Sequence, residues 1–307
     1  MIALQLFLQI LSLFMIIGLG FTLVKTGVLK PSDSRVLSVV CIYIVMPCAA
    51  INAFSIDYSP EVAKGLLTAA CLSALWHIFL IVVMTFFGKK LNLSRTEQAS
   101  VIYTNAGNLV LPLVVALFGK EWVIYASGYM CMQIPFMFSH GQTLMSGQAE
   151  INWKKILTNV NMISVFVGVI LFFGRLRFPA VISGVISSLA AMLGPTAMLV
   201  IGIMIGGTDL KALFSQKRVY KVVFLRLIAA SAVAVLFVRT AGLFISLENE
   251  KTILMISLLA MITPTASTIT QFAQFYDNEP EYSSTINVVG TLLCILTMPV
   301  MIALYSL

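Results

Sequence analysis

Long apolar runs, separated only by short clusters of charged or turn-forming residues, are the feature that most constrains the fold. A helix needs about 20 apolar residues to cross a hydrocarbon layer roughly 30 Å thick, which gives this chain about ten crossings. The runs lie at residues 4–24, 36–54, 62–87, 98–118, 122–146, 156–174, 180–206, 219–241, 252–275 and 282–305. The sequence therefore predicts an all-α integral membrane protein whose transmembrane helices correspond to these runs.

The composition excludes a water-soluble globular domain. Hydrophobic residues make up 60% of the chain and charged residues only 10%, whereas a soluble domain carries about 25% charged residues. The first run lacks a basic leading segment and a small-residue cleavage site, so we interpret it as a retained helix rather than a signal peptide.

The distribution of Lys and Arg predicts an orientation. Odd-numbered connections between the runs hold 12 of the 19 basic residues, and even-numbered connections hold five. Because basic residues resist translocation, we expect the odd connections to be cytoplasmic and both termini to lie outside, in an inner (plasma) membrane. The net charge of +7 then reflects topology and does not indicate nucleic-acid binding. We expect the lipid bilayer as a partner, and we consider a homodimer.

The cysteines predict neither a metal site nor a cofactor. All of them fall within apolar runs, without C-x-x-C spacing or a nearby histidine cluster, which is typical of small packing residues. They are Cys41, Cys48, Cys71, Cys131 and Cys294.

Prolines inside the runs indicate an internal repeat. They are Pro47, Pro112, Pro135, Pro195 and Pro264, with Pro299 near the end of the tenth run. In two halves of five runs each, they occupy the second, fourth and fifth positions. The sequence thus predicts two five-helix repeats, 1–146 and 156–307, joined by a cytoplasmic connector, 147–155. Since five is odd, the second repeat would be inverted, as in many secondary transporters. Alternatively, prolines are simply common in membrane helices.

The fourth and ninth runs each carry a cluster of polar side chains around a proline and predict two broken, crossing helices. At such a crossing, half-helix N-termini would offer partial positive charge and free amides to an anion. The candidate substrate-binding residues are Asn105, Gly107, Asn108 and Pro112 in the fourth run, and Pro264, Thr265, Ser267, Thr268 and Gln271 in the ninth. The alternative is hydrogen bonding between helices. In the seventh run, Gly202 and Gly206 predict close helix packing.

Three of these motifs resemble the auxin efflux carrier family of permeases, and the resemblance covers the whole chain. The matching residues are Asn105, Gly107 and Pro112, then Thr263, Pro264, Thr265 and Ala266, and finally Met46 and Pro47. The resemblance implies inverted repeats with a scaffold and a crossover transport domain, moving organic anions by an elevator-like motion. The chain is most similar to the family's bacterial members, which include malate or malonate permeases. Asn108, Ser267 and Thr268 depart from the residues usual in those members and border the presumed site, so the resemblance does not identify the substrate.

The driving force is the least constrained property. No Asp or Glu falls near the middle of a run, where proton or sodium antiporters usually need one. His77 and His140 are candidates for proton coupling, and Arg226 is expected to extend towards the cytoplasmic side. We predict a secondary transporter (permease) that moves its substrate partner, a small organic anion with a carboxylate, by alternating access and is driven by membrane potential. A sodium-coupled symporter of the bile-acid type and a non-transporting membrane sensor are the alternatives. An enzyme is not expected, because no Ser/His pair, paired membrane aspartates or His-Glu-x-x-His motif is visible.

Overall fold

Helices make up nearly all of the part that the computed structural model describes, namely residues 2–147, 154, 157–207 and 215–307. They are α1 (Ile2–Lys25), α2 (Pro31–Ala53), α3 (Pro60–Lys90), α4a (Arg95–Ile102), α4b (Ala106–Phe118), α5 (123–146), α6 (Val160–Phe173), α7 (Ala180–Gly206), α8 (Lys217–Gly242), α9a (Glu250–Ile262), α9b (Ser267–Phe275) and α10 (Pro280–Ser306). By length and composition, five of these described helices, α2, α3, α7, α8 and α10, could each cross a membrane. The predicted helical membrane-protein class is confirmed, whereas the connector 147–155 lies mostly outside the described residues.

Large apolar side chains point outward along these helices. Phe86, Phe166, Val181, Leu236 and Leu296 are all exposed. A soluble monomer rarely leaves so much apolar surface uncovered, so lipid is the medium that this surface fits.

The helices pack in two groups. In the first group, α1 lies along the second part of α7 (Leu193–Gly206), and α2 packs against α6 and the first part of α7 (Ala180–Ala191). In the second group, α3 lies along α5, and α4a, α8, α9 and α10 pack around one another. The groups meet mainly where α1 contacts α10, where α6 contacts α5, and at α4b, which contacts α1 and α7 as well as α5 and α9a.

Close backbone packing between α1 and α7 depends on glycines. A Cβ atom built on Gly202 would lie 2.1 Å from the carbonyl oxygen of Ile17, and one on Gly20 would lie 2.7 Å from that of Leu199. A Cβ atom built on Gly206 would lie 2.7 Å from the side-chain Cβ of Val24 and 3.1 Å from the carbonyl oxygen of Phe21. The packing role predicted for Gly202 and Gly206 is therefore what these contacts show.

Several prolines are accommodated without interrupting their helix. A π-helical turn precedes Pro47 (Cys41–Val45), precedes Pro112 (Ala106–Val110) and follows Pro135 (Met137–Gly141). Before Pro47 and Pro112, the wider turn relieves the clash of the proline ring with the preceding carbonyl, so the helix continues. The fourth helix accordingly breaks at 103–105, well before Pro112, whereas Pro264 lies within the non-helical gap of the ninth.

A charged cluster joins α4a, α8 and the start of α10. The Glu97 carboxylate is buried and accepts hydrogen bonds from Arg218 Nε (2.8 Å), Tyr282 Oη (2.7 Å) and the Ser94 amide (2.7 Å). Arg218 also pairs with Glu279 at 2.8 Å. Glu97 comes just before the fourth apolar run and therefore lies outside the predicted membrane-spanning segment. Burial raises the pKa of the Glu97 carboxyl, but the bonds from Arg218, Ser94 and Tyr282 outweigh that effect, so its pKa is lowered overall.

We expect Glu97→Gln to lower the free energy of unfolding by about 1–2 kcal/mol at neutral pH, because charge-assisted hydrogen bonds are lost. A lowered folded-state pKa gives stability that is present above the unfolded pKa of about 4.3 and is lost as pH falls through the folded value. Melting curves of wild type and variant should therefore differ at pH 7 and converge in acid. Glu248→Gln, in an exposed loop, is the control. A constant difference at every pH would contradict the assignment.

Candidate substrate site

The breaks in α4 and α9 pair with each other as a short antiparallel crossing. The Asn105 amide donates to the Pro264 carbonyl at 2.9 Å, and the Ala266 amide donates to the Tyr103 carbonyl at 3.0 Å. Inside a membrane, backbone groups freed by a helix break need partners in the protein. Each break supplies those partners to the other.

Side chains from other helices hold the two central residues of the crossing, Thr104 and Thr265, which are both buried. Gln133 of α5 binds Thr104 twice: its Nε2 donates to the carbonyl at 2.6 Å, and its Oε1 accepts from the hydroxyl at 2.9 Å. The Thr265 carbonyl accepts from Asn287 Nδ2 at 3.0 Å, and the Thr265 hydroxyl donates to the Ser100 carbonyl at 2.9 Å. The hydroxyl of Thr265 thus stabilises the crossing itself.

The N-termini of α4b and α9b meet beside this crossing. Asn108 Nδ2 donates to Ser267 Oγ at 3.0 Å, which links the first turns of the two half-helices. Asn108 Oδ1 has no hydrogen-bond partner among the described residues. Asn108, Ser267 and Thr268 are partly exposed, and Gln271 is exposed one turn along α9b. These four predicted residues therefore form the accessible side of the crossing.

The other predicted residues lie elsewhere around the crossing. Asn105 is buried, and Gly107 lies against the methyl groups of Met46 and Met130, where an added Cβ would be 3.2–3.3 Å away. Pro112 instead lines a cavity of about 270 Å³ between α1, α2, α4b and α7. Polar groups in the lining of that cavity are Asn52, Lys120 and Ser187. The predicted set is thus divided between the crossing and this cavity.

The two histidines flank Tyr103. His77 is fully buried, with Nδ1 2.7 Å from the Ser73 carbonyl, and we assign the ring proton to Nδ1 because a carbonyl can only accept. Its ring lies 6.0 Å from that of Tyr103 and stacks on Phe136 at 5.7 Å. His140 is half-buried, and its Nδ1 lies 2.8 Å from Tyr103 Oη. Both histidines therefore contact the residue that begins the crossing.

Arg226 of α8 lies beside the crossing, and its side chain is fully buried. Its guanidinium donates to the carbonyls of Val101, Met261 and Thr263. The prediction that Arg226 extends to the cytoplasmic side is wrong, because three backbone acceptors freed at the helix breaks are within its reach. Sequence spacing carries no signal for Arg226 or for Gln133, since the acceptors of both lie on other helices.

Comparison with known proteins gives one family match. The model of a family described as "Membrane transport protein" matches residues 5–152 and 145–302. These stretches include both breaks and all the candidate residues. No curated protein matches the chain.

Proposed function

The chain belongs to the membrane transport protein family, that of the auxin efflux carriers, and from this premise we propose that it carries a small organic anion with a carboxylate group. Membership in a transporter family makes it a multi-pass membrane transporter. The carboxylate substrate rests on the chemistry of the crossing.

The observation that carries the proposal is the meeting of two half-helix N-termini at an accessible, polar point. Each helix N-terminus is equivalent to about half a positive charge, so the two offer about one charge to an anion. Asn108, Ser267 and Thr268 add polar side chains there. Glu97, at the charged cluster of α4a, is the one acidic residue with a buried side chain among those described, so no buried described carboxylate competes at the crossing.

The packing of the helices suits an elevator-like motion. Helix α9b packs against α10, α4a and the end of α5, all in its own group, while Thr268 and Gln271 remain accessible. Helix α4b contacts α1 and α7 of the other group. In our proposal, α1, α2, α6 and α7 form a scaffold, and the second group carries the substrate past it. The broken helices α4 and α9 hold equivalent places in two inverted five-helix repeats.

Membrane potential is the driving force that we propose. One negative charge leaving an inside-negative cell gains about 2.3 kcal/mol per 100 mV, so export needs no coupling ion. Proton coupling would run through His77 or His140, which reach the crossing by way of Tyr103.

Substrate-induced thermal stabilisation of the purified protein tests the proposed function. We expect one acid among malate, malonate, succinate, lactate and aromatic acids to raise the melting temperature, since a ligand at a hundredfold excess over its Kd adds about 2.7 kcal/mol. The shift should be lost in Asn108→Leu and reduced in Ser267→Ala. Thr85→Ala, which removes an exposed hydroxyl bonded within α3, should retain it. No shift with any acid, or equal shifts in all variants, would contradict the proposal.

A further inference from the structure

The C-terminal ends of two half-helices converge on the Arg226 side chain. Nε donates to the Thr263 carbonyl at 2.9 Å and Nη1 to the Val101 carbonyl at 2.9 Å, while Nη2 donates to the Met261 carbonyl. Helix α4a ends at Ile102 and α9a ends at Ile262, so all three acceptors belong to the ends of these helices or to the gap that follows. One cation therefore satisfies carbonyls that both breaks release.

No carboxylate neutralises this arginine within the part of the chain that the structure describes. Its hydrogen-bond acceptors are backbone carbonyls, and the only buried acid of that part, Glu97, is bonded to Arg218 instead. Burying a charge inside a membrane protein without an opposite charge nearby would cost considerable free energy. The C-terminus of a helix is equivalent to about half a negative charge, so the two ends together balance about one positive charge. The match explains why a buried arginine is tolerated there.

Carbonyls released at helix breaks are also the ligands that transporters with discontinuous helices offer to a coupling sodium ion. We propose that Arg226 is a resident cation that takes the place of a dissociable sodium ion between the C-terminal ends of α4a and α9a. Because the guanidinium is covalently attached to the protein, the carbonyls at these helix ends need no cation from solution. Arg226 thereby acts as a positioning residue: it fixes the C-terminal ends and leaves the N-terminal ends of α4b and α9b to one anionic group.

The role in transport rests on the proposed function, but the cation site itself can be tested without a substrate. The measurement is the melting temperature of detergent-purified protein in sodium chloride, in choline chloride and in choline chloride with guanidinium at a non-denaturing concentration. We expect wild type to melt at the same temperature in sodium and in choline. Arg226→Ala should melt lower in choline and recover in part with sodium or guanidinium, which fit among the freed carbonyls.

Two further variants separate charge from packing and serve even if Arg226→Ala does not fold. Arg226→Lys keeps the charge, and Arg226→Met keeps much of the volume without it, so we expect lysine to be clearly more stable than methionine. Arg239→Ala is the matched control, because Arg239 lies in the same helix and donates to carbonyls at the end of α10 but is exposed. It should show no cation dependence.

Three results would overturn the proposal: a wild-type melting temperature raised by sodium over choline, a methionine variant as stable as the lysine variant, or an Arg226→Ala protein that neither sodium nor guanidinium restores. None of these measurements uses an organic acid, so failure here is distinguishable from failure of the proposed function.

Discussion

Replacing Gln133 by methionine is expected to lower the free energy of unfolding by about 2–4 kcal/mol. Two hydrogen bonds between Gln133 and Thr104 are lost, and interhelical hydrogen bonds in membranes contribute about 0.6–2 kcal/mol each. The Thr104 carbonyl and hydroxyl would then be buried without these partners, which makes the loss larger than for an exposed pair. Methionine keeps the length of the side chain, so a cavity does not explain the effect.

Denaturant or thermal unfolding in detergent measures this loss. Gln274→Met is the matched control, because Gln274 is exposed on α9b and should tolerate the same change. If Gln133→Met and Gln274→Met were equally stable, the two hydrogen bonds between Gln133 and Thr104 would not stabilise the crossing.

Gly202→Ala is expected to destabilise the protein by about 2–3 kcal/mol, the upper part of the range for overpacking. The added methyl would lie 2.1 Å from the Ile17 carbonyl oxygen and 3.0 Å from Gly20 Cα, which are backbone atoms that cannot rotate away. Helices α1 and α7 would have to move apart, which would disrupt the packing of the first group of helices.

Gly184→Ala in the same helix is the control for Gly202→Ala, since nothing lies within 4 Å of its added methyl. Alanine favours helix over glycine, so this variant should be as stable as wild type or slightly more stable. If the unfolding curves showed equal stability for Gly202→Ala and Gly184→Ala, the close α1–α7 contact would be ruled out.

The sequence predicted much of this architecture because hydropathy is a local property. Apolar runs located the helices, and the polar residues around Asn105 and Thr265 marked the places where two of them break. The position of the first break was harder to predict, since a π-helical turn accommodates Pro112 and moves the break to 103–105. Proline marks strain in a helix, but neighbouring residues decide where the helix yields.

The partners of the crossing could not be predicted in this way. Gln133, Asn287 and Arg226 each bind a residue of a break from another helix. Periodicity records which face of a helix is apolar, and it says nothing about which distant carbonyl a polar side chain meets. Arg226 illustrates the point, because its place in the sequence suggested a route to the cytoplasm.

Charge movement in proteoliposomes, recorded on a solid-supported membrane, tests the central claim most directly: that the crossing carries one anionic group without a coupling ion. We predict that one acid of the panel produces a current with the sign of a moving negative charge. Replacing sodium by choline should leave that current unchanged, and Asn108→Leu should abolish it. Uptake without charge movement that requires a sodium or proton gradient, or the absence of current with every acid, would contradict the account.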